Sequence, residues 1–224
     1  MVSPQKLFNA KGGLKLTVFG GGLVLISQAY IMVDRLLASS LPIGSISALG
    51  FAQRTFSFIY EVLALSVATV FFPTFAEKSM LLKEDELLIL LKKGFVLLIC
   101  LTLPLSVFLF CFSSPLVALL FQRGEFEHTA TLLVADAVSC FSLQLFAASA
   151  LSLMLRAFYS INDAQTPFII ALISLFVGIM LKLILAPQKG IKGLVIASAI
   201  AMNLNAALNL YYLWRRLKSS DATT

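Results

Sequence analysis

The sequence predicts an all-α fold, a polytopic membrane helix bundle of about six transmembrane helices. Three observations predict it. Of the 224 residues, 59% are hydrophobic and 12% charged, whereas an ordinary soluble domain is roughly a quarter charged. Mean hydropathy is +0.96, too apolar a surface for water to solvate. The apolar residues also fall into six runs, each near the ~20 residues a helix needs to cross hydrocarbon. With short connections these runs use almost the whole chain, so 1–224 is expected to form a single six-helix lobe with no separate soluble domain.

In chain order, the first run is 16–37. Lys6, Lys11 and Lys15 precede it as they would a secretory signal, but the run is long for a signal core and ends in Asp34 and Arg35. The second, 49–72, carries Arg54 and Glu61 and is closed by Pro73. Residues 81–93, LLKEDELLILLKK, read as an amphipathic helix on the membrane surface or as a helical extension of the third run, 94–112. Pro104 falls inside that run and is expected to kink it. The fourth run, 132–155, holds Asp136 near its start. Pro167 opens the fifth, 167–186, where a missing N–H costs nothing, and Lys182 near its far end is expected to snorkel to the headgroups. In the sixth, 193–213, Ser198, Asn205 and Asn209 form one polar stripe, with Asn203 off it. Such a stripe is expected to join helices, as are Ser27, Gln28 and Gln144.

Positive residues are retained on the cytoplasmic side during insertion. With the N-terminus inside, the inner flanks hold Lys6, Lys11, Lys15, Lys78, Lys83, Lys92, Lys93, Arg156, Arg215, Arg216 and Lys218. The outer flanks hold only Arg123, Lys189 and Lys192. Both termini are therefore expected in the cytoplasm. The net charge of +6 is spread over these flanks rather than gathered in a patch, which argues against a nucleic-acid partner. Cys100, Cys111 and Cys140 have no C-x-x-C spacing and read as small packing residues, and His128 reads as a loop residue with no metal partner nearby. No phosphate loop, Ser/His/Asp set or metal cluster is visible, so no enzyme activity, cofactor or metal is expected.

The informative residues are ionisable groups inside runs. A charge at mid-bilayer costs ~2.5–3.5 kcal/mol on insertion scales and marks a pathway or a partner. Arg54 and Glu61, seven residues apart, share one helix face that should line a cavity or another helix. Arg35 and Arg54 also fit snorkelling to the outer headgroups, with Asp34 paired locally. Glu61 and Asp136 fit a proton or cation relay.

Four segments, DRLLASSLPIGSISALGFAQR (34–54), TVFFPTFAE (69–77), LLFQRGEF (119–126) and RAFYSINDAQTP (156–167), occur in an order and spacing that resembles the second lobe of the MviN/MurJ family of lipid II flippases. The resemblance implies an exporter-superfamily fold in which two six-helix lobes face each other across a cavity. It also implies that an undecaprenyl-pyrophosphoryl peptidoglycan precursor is moved across the bacterial cytoplasmic membrane for cell-wall synthesis, by alternating access. Arg54 matches a functionally important cation at the start of the family's eighth helix, suited to bidentate contact with the pyrophosphate. Asp34 and Arg35 match the Asp-Arg pair at the end of the seventh, and Glu61 joins them as a substrate-facing candidate. This sequence departs from the family in Gln53, where an acid is common, and in Ile59-Tyr60-Glu61, a stretch usually written with Pro and Gly. The family has about fourteen spans, so the resemblance implies a separate first-lobe chain or a second copy. Two other readings stay open: an ion-coupled exporter of a drug or oligosaccharide-lipid, and a non-transporting partner or remnant.

Overall fold

Inside hydrocarbon no water satisfies backbone N–H and C=O groups, so a chain this apolar must close its hydrogen bonds within each segment. The computed structural model describes residues 10–78, 84–122, 128–161 and 163–221, and among them every regular element is an α-helix. The order is α1 (Ala10–Ser39), α2 (Ser45–Lys78), α3 (Glu84–Phe121), α4 (His128–Ser142), α5 (Leu145–Ser160) and α6 (Gln165–Asp221).

Leu16–Ser39, Ile89–Phe121 and Gln165–Arg216 are each long and apolar enough to cross a membrane. α4 and α5 meet at a 47° bend and together make a fourth such length. The break sits inside the fourth expected run, at Leu143 and Gln144. Asn203 of α6 donates its amide to the Leu143 carbonyl at 3.1 Å, satisfying an acceptor that the break releases from the helix ladder. α2 has 34 residues, about 51 Å of helix, and encloses the second run.

The apolar stretch of α6, 52 residues, would extend about 78 Å if straight, far beyond the ~30 Å hydrocarbon core. It folds back instead. Gly190 adopts φ 59°, a left-handed conformation that side chains resist, just after Pro187. At Gly193 a Cβ would lie 2.0 Å from the Leu185 carbonyl oxygen, so the turn closes only on a bare backbone. Beyond it the arms run antiparallel: a Cβ on Gly178 would stand 3.0 Å from that of Ala201, and Arg216 reaches Asp163. The turn separates the two expected runs 167–186 and 193–213.

Two clusters of buried side chains hold the helices together. One joins the α1–α2 turn, the end of α3, α4 and the α6 turn, through Ala38, Leu49, Ala52, Val117, Ala137, Leu145 and Leu194. The other joins the start of α3, α5 and the end of α6, through Leu98, Leu153, Met154, Phe158 and Leu213. Alanines recur in both because lipid tails are as apolar as leucine, so helix association rests on close van der Waals approach, which small residues permit. Large apolar side chains such as Leu25, Leu119 and Phe176 face outward, as lipid-facing groups do.

Several sequence expectations change here. The kink in α3 falls at Phe112 (φ −114°, ψ 20°) rather than at Pro104. Pro115 is the cause, since its ring lacks an N–H and clashes with the backbone a turn earlier. Residues 84–93 are the first turns of α3, continuous with it, while 81–83 lie outside the described residues. His128 is the first residue of α4, not part of a loop. Cys140 is buried as expected of a packing residue, but Cys100 and Cys111 are exposed. The Ser27 hydroxyl donates within its own helix to Val24 at 2.7 Å, and Gln28 is exposed, so neither joins helices among the described residues.

Candidate substrate-facing site

The substrate-facing residues predicted from sequence lie on α1 and α2, which share the short turn 40–44, while the relay candidate Asp136 lies on α4. Ser45 fastens that turn by donating both its backbone N–H and its hydroxyl to the Pro42 carbonyl, at 3.1 and 2.7 Å. From the turn the helices diverge, α1 packing chiefly on α6 and α2 on α4. Arg35 lies about 6 Å from the end of α1, and Arg54 and Glu61 lie about 14 and 24 Å into α2. All three are exposed. Among the described residues none forms an ion pair with them. Phe58, 70% exposed, lies between Arg54 and Glu61 on the same stripe of α2. The lobe therefore presents two guanidiniums and a carboxyl outward, next to apolar surface, without internal neutralisation.

Asp34 does not join them. One residue is a 100° step around a helix, and that step carries Asp34 inward against α6. There its carboxylate meets the Lys182 ammonium at 2.7 Å, with the two side chains 5% and 0% exposed. The expected snorkelling of Lys182 is thus wrong: its ammonium is fully buried against the Asp34 carboxylate rather than extended toward the headgroups. Tyr30, one turn before Asp34, lays its ring under the same ammonium, 3.3 Å from Nζ to the ring centroid. Gly178, one turn before Lys182, makes the fit possible, since a Cβ there would lie 2.7 Å from the Tyr30 hydroxyl. The signal in the sequence was charge balance: Asp34 and Lys182 are the acid and the base near the same expected end of two spans.

The other ionisable groups are paired differently. Asp136 meets Lys192 at 3.0 Å across α4 and α6, with side chains 42% and 50% exposed, and no contact joins it to Glu61 among the described residues. Asp163 caps α6: its carboxylate accepts from the Thr166 N–H at 3.1 Å and from the Thr166 hydroxyl at 2.8 Å, and it also receives Arg216. In the polar stripe, Asn209 is fully buried and donates to the carbonyl and side-chain oxygens of Asn205, at 2.9 and 2.7 Å. Asn203, the residue off the stripe, joins α6 to the α4–α5 break. Among the described residues no group of three or more His, Cys, Asp or Glu is placed to hold a metal ion.

The profile of the family described as lipid II flippase MurJ matches residues 5–224. A probable lipid II flippase MurJ from Buchnera aphidicola is 30% identical over 219 residues, 96% of this chain and 43% of that protein. One from Bdellovibrio bacteriovorus is 28% identical over 199 residues, 88% of this chain and 37% of its own length. Among solved structures, a lipid II flippase MurJ in an inward closed conformation superposes with a TM-score of 0.75 at 27% identity, over 85% of this chain and 40% of that one. A MOP superfamily transporter from Pyrococcus furiosus gives 0.77 at 15% identity, over 92% and 45%, which speaks to the fold alone. The chain spans less than half the length of each.

Proposed function

The chain belongs to the lipid II flippase MurJ family, and from that premise we propose that it forms one wall of a cavity through which lipid II crosses the bacterial cytoplasmic membrane. The single observation that carries this reading is the exposed set of Arg35, Arg54 and Glu61, without ion pairs among the described residues, on a lobe that pairs Asp34 with Lys182 in its interior. An arginine facing only lipid carries the full cost of an intramembrane charge. Facing a water-filled cavity, it is solvated and free to receive an anion. Arg54 is the principal contact to the precursor's pyrophosphate, by bidentate hydrogen bonding, and Arg35 is the second cation. Glu61 lies deeper and faces the same side, where its negative charge opposes a stationary pyrophosphate and favours release.

The opposite wall comes from a first lobe, since this chain spans only 37–43% of its relatives. Alternating access then consists of one lobe rocking against the other, with both termini of this lobe in the cytoplasm. Asp34 acts as a positioning residue: its bond to Lys182 holds α1 on α6 and so fixes where Arg35 points. The chemistry is binding and release, not bond making. The test is rescue of bacteria depleted of their own flippase by this chain co-expressed with a first-lobe chain. Viability should be restored, and Arg54→Ala should abolish it at equal membrane abundance. Full rescue by Arg54→Ala removes the site assignment, and absence of rescue by any first lobe removes the transport reading.

A further inference from the structure

A second charged cluster, at the far end of α6, is left unused by the transport reading. The last turns of α6 run Tyr211-Tyr212-Leu213-Trp214-Arg215-Arg216. Leu213 is buried, whereas Tyr211, Tyr212 and Trp214 are 52%, 46% and 54% exposed. Amphipathic rings collect at headgroup depth, where one edge meets hydrocarbon and the other water. These turns therefore lie at a membrane–water boundary.

The fold-back of α6 brings the α5–α6 connection beside them. Together they line a cleft of about 310 Å³ between Phe158, Asp163, Thr166, Tyr212, Arg215 and Arg216. Its floor is apolar, Phe158 being fully buried. Its charge is unbalanced. The Asp163 carboxylate is engaged by Thr166 and by Arg216, and Arg215 is exposed, with no ion pair among the described residues. Among the described residues that line it, two guanidiniums stand against one carboxylate. The N-terminus of α6 alongside is already capped by Asp163, so the anion contact rests on the guanidiniums.

We propose that this cleft binds the phosphate of an anionic phospholipid headgroup, in the leaflet on the side of the α6 C-terminus. Arg215 supplies the contact, a guanidinium fork matched to phosphate oxygens, and Arg216 is held in place beside it by Asp163. Cationic pockets between spanning helices at headgroup depth take lipid phosphates by this chemistry. The acyl chains run along the exposed face of α6, where Leu210 and Tyr211 are 46% and 52% exposed.

The protein carries its own reporter. Trp214 is its only tryptophan and adjoins Arg215. The detergent-solubilised chain is titrated with short-chain phosphatidylglycerol, with phosphatidylcholine of equal chain length, and with inorganic phosphate, following Trp214 fluorescence. Phosphatidylglycerol should give a saturable change, phosphatidylcholine only a linear one. Arg215→Gln should weaken phosphatidylglycerol about fivefold, the worth of one basic residue at a membrane surface, while Lys192→Gln leaves it unchanged. An equal response to phosphatidylcholine, or unchanged affinity in Arg215→Gln, overturns the site. Inorganic phosphate saturating as tightly as phosphatidylglycerol overturns the lipid assignment and makes the cleft a free-anion site. The measurement uses this chain alone, so its outcome is separate from that of the rescue experiment.

Discussion

Asp34 and Arg35 are neighbours in sequence and opposites in environment. Asp34 is buried between α1 and α6 with Lys182 at 2.7 Å and the Tyr30 ring beneath the ammonium. Arg35 is exposed and, among the described residues, without an ionic partner, as are Arg54 and Glu61 on α2. One region spends its charges on holding helices together. The other leaves them available to something outside the lobe. The difference teaches that an intramembrane charge is not by itself a mark of substrate contact. What separates the two regions is whether the fold supplies a counter-ion.

That contrast is sharpest in the response to losing one charge. Lys182→Met leaves the Asp34 carboxylate buried and unpaired and should destabilise the lobe by about 3–5 kcal/mol, read from unfolding in detergent. The double variant Asp34→Asn with Lys182→Met should recover most of that loss, because it removes the stranded charge. A double variant as unstable as the single one breaks the claim that pairing is what Lys182 is for.

Asp163→Ala should cost less, about 1–2 kcal/mol, since it removes a helix cap and the attachment of Arg216 but strands no charge deep in the lobe. Hydrogen exchange at the first turn of α6 should rise in the same variant. Asp136→Asn should cost no more than about 1 kcal/mol, and high salt should erase the difference, because its pair with Lys192 is half exposed.

The smallest stability effect belongs to the other region. Arg54→Gln should change unfolding by less than about 0.5 kcal/mol, the range of exposed substitutions, yet abolish rescue of flippase-depleted cells. Loss of stability comparable to that of Lys182→Met would place Arg54 with the structural charges and merge the two regions into one.

The membrane class, the six apolar runs and the candidate charges were legible in the sequence because each depends on local pattern: the length of an apolar run, a charge within it, a proline at its start. The family resemblance came from the same source, four short motifs in order, and the comparisons agree with it. Lys182 departs from its local pattern for a definite reason. Its distance from the end of its own run argued for snorkelling, whereas its fate was decided by Asp34, nearly 150 residues earlier in the chain. Likewise Pro104 and Pro115 look alike in sequence, yet only the backbone near Pro115 departs from the helix. Asn203, off the polar stripe, serves the α4–α5 break, a contact that helix periodicity does not reveal.

The sequence by itself determined that this chain lives in a membrane as helices, since hydropathy and the need to satisfy backbone hydrogen bonds act residue by residue. Only the tertiary structure decided which charges are neutralised and which face outward. That outcome depends on the rotation of each helix about its axis and on the neighbour it meets there, and a 100° step between Asp34 and Arg35 was enough to bury one against Lys182 and leave the other exposed.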